Sequence, residues 1–152
     1  MSTDQMQLVQ DHLMLRNLYA RYCFGLDYHD DAAFLDCFTP DGVFSLSDRG
    51  DFAGHEQMQA ILDASAATRN RHNVLNVLID RIEGDRAYCR AYFILLHPKD
   101  ASIQSYGHYE DEAVRCEDGQ WRWTIKRVIF DWREEVYAAR SADQTTEQLL
   151  KS

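Results

Sequence analysis

Three side chains stand out as candidates for proton transfer: Tyr22, Asp27 and His72. Asp27 falls beside Cys23 at the edge of a core-facing helical stripe, away from the solvent face. A carboxylate taken out of water needs a partner, because burying it alone is costly. A histidine is the partner that makes it useful near neutral pH. The carboxylate fixes one imidazole tautomer and stabilises the protonated ring, which leaves the other nitrogen as base or acid. Such a base contributes about 10²–10⁴-fold in rate. Each residue also has a plainer reading. A helix-end aspartate can be solvated or cap the helix, a lone strand histidine can pack, and a tyrosine at helical spacing can be core. Residue types alone do not bring Asp27 and His72 together.

Other chemistries lack their motifs. There is no H-E-x-x-H or other zinc spacing, and His29-Asp30-Asp31 is only a weak cluster in a turn. No G-x-G-x-x-G or P-loop indicates a tightly held nucleotide. No G-x-S-x-G elbow presents a nucleophile. Any chemistry here falls to acid–base side chains, with no metal.

The elements that must position these residues follow from periodicity. Asp4 to Tyr28 reads as a helix, with Leu15, Leu18, Tyr19, Tyr22, Cys23 and Leu26 at spacings of three and four. At 100° per residue they form one stripe about 100° wide. A short helix is expected over Asp31 to Phe38, then a turn at Thr39-Pro40-Asp41-Gly42 and a short strand from Val43 to Leu46. Gly54 to Ala67 carries Met58, Ile61 and Leu62 at helical spacing. Strands are expected over Asn73 to Ile82, Arg86 to Leu96, Ile103 to Cys116 and Trp121 to Trp132. Asp118-Gly119 is a strong hairpin signal between the last two. In the last strand Trp121, Trp123, Ile125 and Ile129 share one parity. Helices first and a four-strand antiparallel meander last argue an α+β fold. A long sheet curling round a long helix makes a cone with a pocket at its open end.

The 152 residues fit a single domain over residues 1–140 with a polar tail over 141–152. At this size a chain buries roughly 68–70% of its unfolded surface and needs no staples. The apolar fraction of 45% is that of a globular protein. Sixteen basic against 25 acidic residues leave a net charge of −9, which repels a phosphate backbone and argues against nucleic acid as partner. No apolar run approaches the roughly 18 residues of a membrane span, and the first residues do not read as a signal peptide. Cys23, Cys37, Cys89 and Cys116 form no C-x-x-C pair, and read as free buried thiols of a cytoplasmic protein.

The run Tyr22-Cys23-Phe24-Gly25-Leu26-Asp27, followed by Phe38-Thr39-Pro40-Asp41-Gly42, resembles the opening of the SnoaL-like group of the nuclear transport factor 2-like superfamily. Gly54, Arg71-His72 with Asn76, Gly107-His108-Tyr109 and Asp118-Gly119-Gln120-Trp121 continue the resemblance in order, over about residues 5 to 135. It implies a cone of curved antiparallel sheet around N-terminal helices, with a deep apolar pocket. It also implies roles. The dehydratases and the dehydrochlorinase of the group pair an aspartate on the first helix with a histidine on the sheet, matching Asp27 and His72. A tyrosine of the bile acid dehydratase matches Tyr22, which would donate a hydrogen bond to a substrate oxygen. The implied enzyme is a dehydratase or isomerase without cofactor, acting on a small hydrophobic ring compound such as a steroid, polyketide or aromatic catabolite. Tyr109, Trp123 and Phe93 are expected as pocket walls, and Arg71 and Arg127 as contacts for an anionic substrate group.

The group also holds polyketide cyclases, ligand-binding members and the non-catalytic small subunits of ring-hydroxylating dioxygenases. Arg71-His72-Asn73 with Asn76, and Arg127-Val128-Ile129-Phe130-Asp131, suit that last alternative. Trp and Phe residues on an open sheet face favour a homo-oligomer, and the resemblance implies a dimer or trimer.

Overall fold

The computed structural model describes residues 2–65 and 70–134. The expected end of the third helix at Ala67 and the tail over 141–152 lie outside the described residues. Nine elements follow in order: α1 (Thr3–Tyr28), α2 (Asp31–Leu35), β1 (Phe38–Leu46), β2 (Gly50–Ala53), α3 (Gly54–Ser65), β3 (Arg71–Glu83), β4 (Arg86–Leu96), β5 (Ile103–Arg115) and β6 (Trp121–Arg133).

Helix α1 starts where the first free N–H groups find a partner. Ser2 Oγ accepts from the Gln5 N–H at 3.2 Å, and Gln5 Oε1 accepts from the Ser2 N–H at 2.9 Å, a reciprocal capping box. The helix ends at His29, which turns left-handed (φ 56°). Leu15, Leu18, Tyr19, Tyr22 and Cys23 are buried, so the stripe read from spacing is the face that meets the sheet. Helix α2 stops at Leu35, short of the expected Phe38. The backbone is drawn off into the sheet, where Cys37 O accepts from the Trp123 N–H at 2.8 Å.

The sheet has six strands in the order β2-β1-β6-β5-β4-β3. The meander β3 to β6 is antiparallel throughout. Two strands extend the meander: β1, which contains the short strand expected over Val43 to Leu46, and β2, which was not expected. β1 runs parallel to β6, and β2 closes the edge by a hairpin with β1. Thr39-Pro40-Asp41-Gly42 does not separate helix from strand; it is an irregularity within β1. Phe38 pairs with Trp123 and Val43 with Ile125, so the proline and glycine are accommodated as a bulge.

A second bulge changes which residues of β6 face inward. Between Glu112↔Ile125 and Ala113↔Trp123 the register shifts by one residue. Inward parity therefore passes from Trp121 and Trp123 to Lys126 and Val128, and Ile125 and Ile129 leave the core. The expectation that Trp121, Trp123, Ile125 and Ile129 share a face fails at this bulge.

Gly107 lies at another register shift, between β5 and β6. A Cβ there would sit 2.0 Å from the Ile129 carbonyl oxygen, a backbone atom that cannot step aside. Gly107→Ala is expected to cost at least about 2 kcal/mol of stability, from forced backbone displacement. Urea unfolding of both forms checks it.

Candidate functional site

Helix α1 delivers Asp27 two residues before its left-handed cap, and β3 delivers His72 at its second residue. The Asp27 carboxylate grips His72 twice. Oδ1 lies 2.6 Å from ring Nδ1, and Oδ2 accepts the His72 backbone N–H at 3.0 Å. Holding both backbone and ring fixes where the imidazole sits as well as its tautomer. With Nδ1–H donating to the carboxylate, Nε2 carries the lone pair. Asp27 is 8% exposed and His72 16%, so the pair is shielded without being sealed.

Both line a cavity of about 200 Å³. Its apolar wall comes from Phe44, Leu46, Phe93, Val128 and Phe130 on the sheet and from Ile61 and Leu62 on α3. Tyr22 and Tyr109 line it too. The Tyr22 ring meets His72 edge-on with centroids 6.1 Å apart, and meets Tyr109 in the same way at 6.0 Å. Burial holds the Tyr22 phenol well above its ordinary pKa, while a side-chain hydrogen bond with Tyr109 opposes that rise. Tyr22 therefore stays protonated and able to donate. Tyr109 is likewise raised by burial, and then by Tyr22.

Of the other expected site residues, Phe93 and Tyr109 lie in the cavity wall and stack on each other at 4.8 Å. Three do not reach the cavity lining. Trp123 is fully buried behind it, edge-on to Tyr19 at 4.9 Å, because its parity precedes the β6 bulge. Arg71 points to the outside. It donates to the Asp27 and Asn70 carbonyl oxygens at 3.4 and 3.2 Å and lies over the Tyr28 ring. Arg127 faces away from the core and pairs with Glu112 at 3.2 Å, since its neighbour Lys126 takes the inward place. Among the described residues, no three histidine, cysteine, aspartate or glutamate side chains gather as a metal site.

Sequence reading missed the charges inside. Arg49 and Arg133 line the cavity. Lys126 and Asp111 form an ion pair at 2.8 Å with both side chains wholly buried. The Lys126 ammonium lies 3.6 Å from the Tyr109 ring centre and 4.6 Å from those of Tyr19 and Tyr22. Asp111 also accepts the Arg127 backbone N–H at 3.1 Å. Burial lowers the Lys126 pKa and raises that of Asp111, while their mutual attraction opposes both shifts. No local pattern marks Lys126 as inward-facing, because the one-residue shift at Thr124 appears only in the pairing of β6 with β5.

The family model described as a SnoaL-like domain matches residues 7–128. The chain belongs to the SnoaL-like domain family. Among solved structures, this SnoaL-like chain is similar to a Mycobacterium tuberculosis protein of unknown function. They share 28% identity, with 86% of this chain and 77% of that one covered and a TM-score of 0.77. It is similar to a putative aromatic ring hydroxylase from Novosphingobium aromaticivorans at 30% identity, covering 82% and 91%, TM-score 0.73. It shares its fold with a putative scytalone dehydratase from the same organism at 18% identity, covering 87% and 91%, TM-score 0.74. No curated protein matches.

The buried ion pair makes a stability test. Lys126→Met is expected to cost about 3–5 kcal/mol, because Asp111 is left buried and unpaired. Adding Asp111→Leu is expected to restore most of that loss. Thermal and urea unfolding of the single and double variants measure it.

Proposed function

We propose that this SnoaL-like domain is a cofactor-independent acid–base enzyme, a dehydratase or isomerase acting on a hydrophobic ring compound. The observation that carries the reading is the 2.6 Å contact between Asp27 and His72 Nδ1 in the wall of an apolar cavity. In this reading His72 Nε2 removes a proton from a carbon next to a carbonyl. The C–H electrons pass into an enolate, whose developing oxyanion receives the Tyr22 hydrogen bond. The enolate then expels a β-hydroxide, the C–O bond breaks as the C=C bond forms, and the proton on His72 leaves with it as water. In an isomerisation the same proton returns to another carbon of the conjugated system. Asp27 holds the imidazolium between the two steps. A cavity of about 200 Å³ favours one or two rings over a four-ring body, since drug-sized ligands occupy about 300 Å³ or more.

A panel of small β-hydroxy cyclic ketones, followed by enone absorbance, tests the reaction. His72→Ala and Asp27→Asn should each lower turnover by at least about 10²-fold. Unchanged turnover in both folded variants ends the acid–base reading.

A second reading is a non-catalytic small subunit of a ring-hydroxylating dioxygenase type complex; one similar protein is named a putative aromatic ring hydroxylase. A large partner or further copies of this chain would each suit the exposed Tyr92, Tyr106 and Trp132 of the sheet, where Tyr106 and Trp132 stack at 5.9 Å. The enzyme reading expects a homo-oligomer, a dimer or trimer. Its cysteines form no disulfide, which suits a cytoplasmic location. No helix among the described residues is long and apolar enough to cross a membrane. Affinity purification from the native host followed by mass measurement decides between partners. Only copies of this chain are expected, and a stoichiometric large subunit would favour the second reading.

A further inference from the structure

The charged residues lining the cavity include two opposed groups, with His29 and Asp31 beside the first and the Asp31 carboxylate accepting from Gln59 Nε2 at 2.7 Å. Asp27 and His72 stand where α1 meets the outer strand β3. Arg49 and Arg133 stand where the β1–β2 turn meets the end of β6. The sheet register fixes how these two groups relate. His72 pairs with Leu95, Leu95 with Ser105, and Ser105 with Arg133. One row of the sheet therefore carries the histidine at one end and Arg133 at the other. Three strand spacings separate them, about 14 Å along the sheet and less across the concave face. Leu95, Phe93 and Phe130 line the cavity around that row.

The two arginines are built into this wall and do not extend freely from the surface. Their side chains are 20% and 15% exposed for Arg49 and Arg133. Both approach Asp48, and the Arg133 guanidinium also lies 4.5 Å from the centre of the Phe130 ring. Burial lowers the Arg49 pKa; Asp48 opposes that and Arg133 adds to it. A guanidinium presents a planar fork of donors that matches a carboxylate in two-point contact. Two of them beside one apolar chamber recognise an anion attached to an apolar body. The chain's net charge of −9 would repel such a ligand at long range, but that field is screened beyond roughly 10 Å at 0.1 M salt.

We infer that the cavity binds a one- or two-ring carboxylate, its anion held by Arg49 and Arg133 and its far end presented to His72. This takes over the role expected of Arg71 and Arg127, which lie outside the cavity lining. The orientation rests on the acid–base reading above; the anion site itself does not.

Calorimetry with 2-naphthoate and its neutral counterpart 2-naphthamide tests the anion site without any turnover. Wild-type protein should bind the acid at least about tenfold more tightly than the amide, and the preference should shrink as salt is added. Arg133→Met and Arg49→Met should each remove most of that preference while leaving the amide's affinity within about twofold. Arg49→Lys, which keeps the charge, should retain part of it. Equal binding of acid and amide by the wild type, binding of neither, or a preference that survives both methionine variants would overturn the inference. The same titration in His72→Ala separates the two claims. A retained acid preference beside lost turnover supports both. A retained preference beside unchanged turnover ends the acid–base reading and leaves the anion site standing.

Discussion

A lysine and an aspartate wholly out of water set the terms for the interior of this cone. Ions as buried as Lys126 and Asp111 are tolerable only if every charge has a close partner. The structure meets that condition from all sides. Asp111 takes the ammonium on one oxygen and the Arg127 N–H on the other. The ammonium is walled by the electron-rich faces of Tyr109, Tyr19, Tyr22 and Trp123. Those rings come from α1, β5 and β6, so solvating one cation ties the long helix to the sheet. The bulge at Thr124 belongs to the same constraint, because without it Lys126 would point outward and Arg127 inward.

The cavity floor inherits this arrangement. Tyr22 and Tyr109 are at once the wall of the cation's cage and the wall of the cavity. Their positions are fixed from behind by packing and charge, and their hydroxyls meet each other. Asp27 and His72 are held differently, by a two-point grip at the junction of α1 and β3. A donor fixed by the core and a histidine fixed by a helix end thus face one chamber. Preorganisation of this kind suits the proposed acid–base reading, in which a donor would meet developing charge without having to reorient.

The sequence showed the elements better than their connections. The stripe of Leu15, Leu18, Tyr19 and Tyr22 is local, set by 3.6-residue periodicity, and it identified both the helix and its buried face. Asp27 stood out for the same reason, as a carboxylate on the wrong side of a helix. The four long strands were likewise legible from apolar runs and the Asp118-Gly119 turn. What escaped was non-local. The parallel β1–β6 pair depends on chain crossing that no short window contains. The inward lysine depends on a one-residue slip against the neighbouring strand. Arg49 sits in a turn and Arg133 at a strand end, where periodicity assigns no face. Trp123, expected as a cavity wall, faces inward but behind the lining, and Arg127, expected as an anion contact, is turned outward by the bulge that follows Trp123.

That pattern of success and failure bears on how this fold acquires specificity. Helix and strand faces build the cone, and periodicity keeps them recognisable in a chain that has drifted far from its relatives. The 18% identity to the putative scytalone dehydratase, at a TM-score of 0.74, is of this kind. The polar content of the cavity is instead decided at bulges, turns and element ends, where one residue can exchange inside for outside. A change at Arg49 alters which charges face a ligand and leaves the hydrophobic frame untouched, whereas a slip at Thr124 would also turn Val128 and Phe130 away from the cavity. The frame is therefore a poor guide to the reaction. In the proposed reading, it is the arrangement of Tyr22, Asp27, His72, Arg49 and Arg133 around one chamber that would set this member's chemistry.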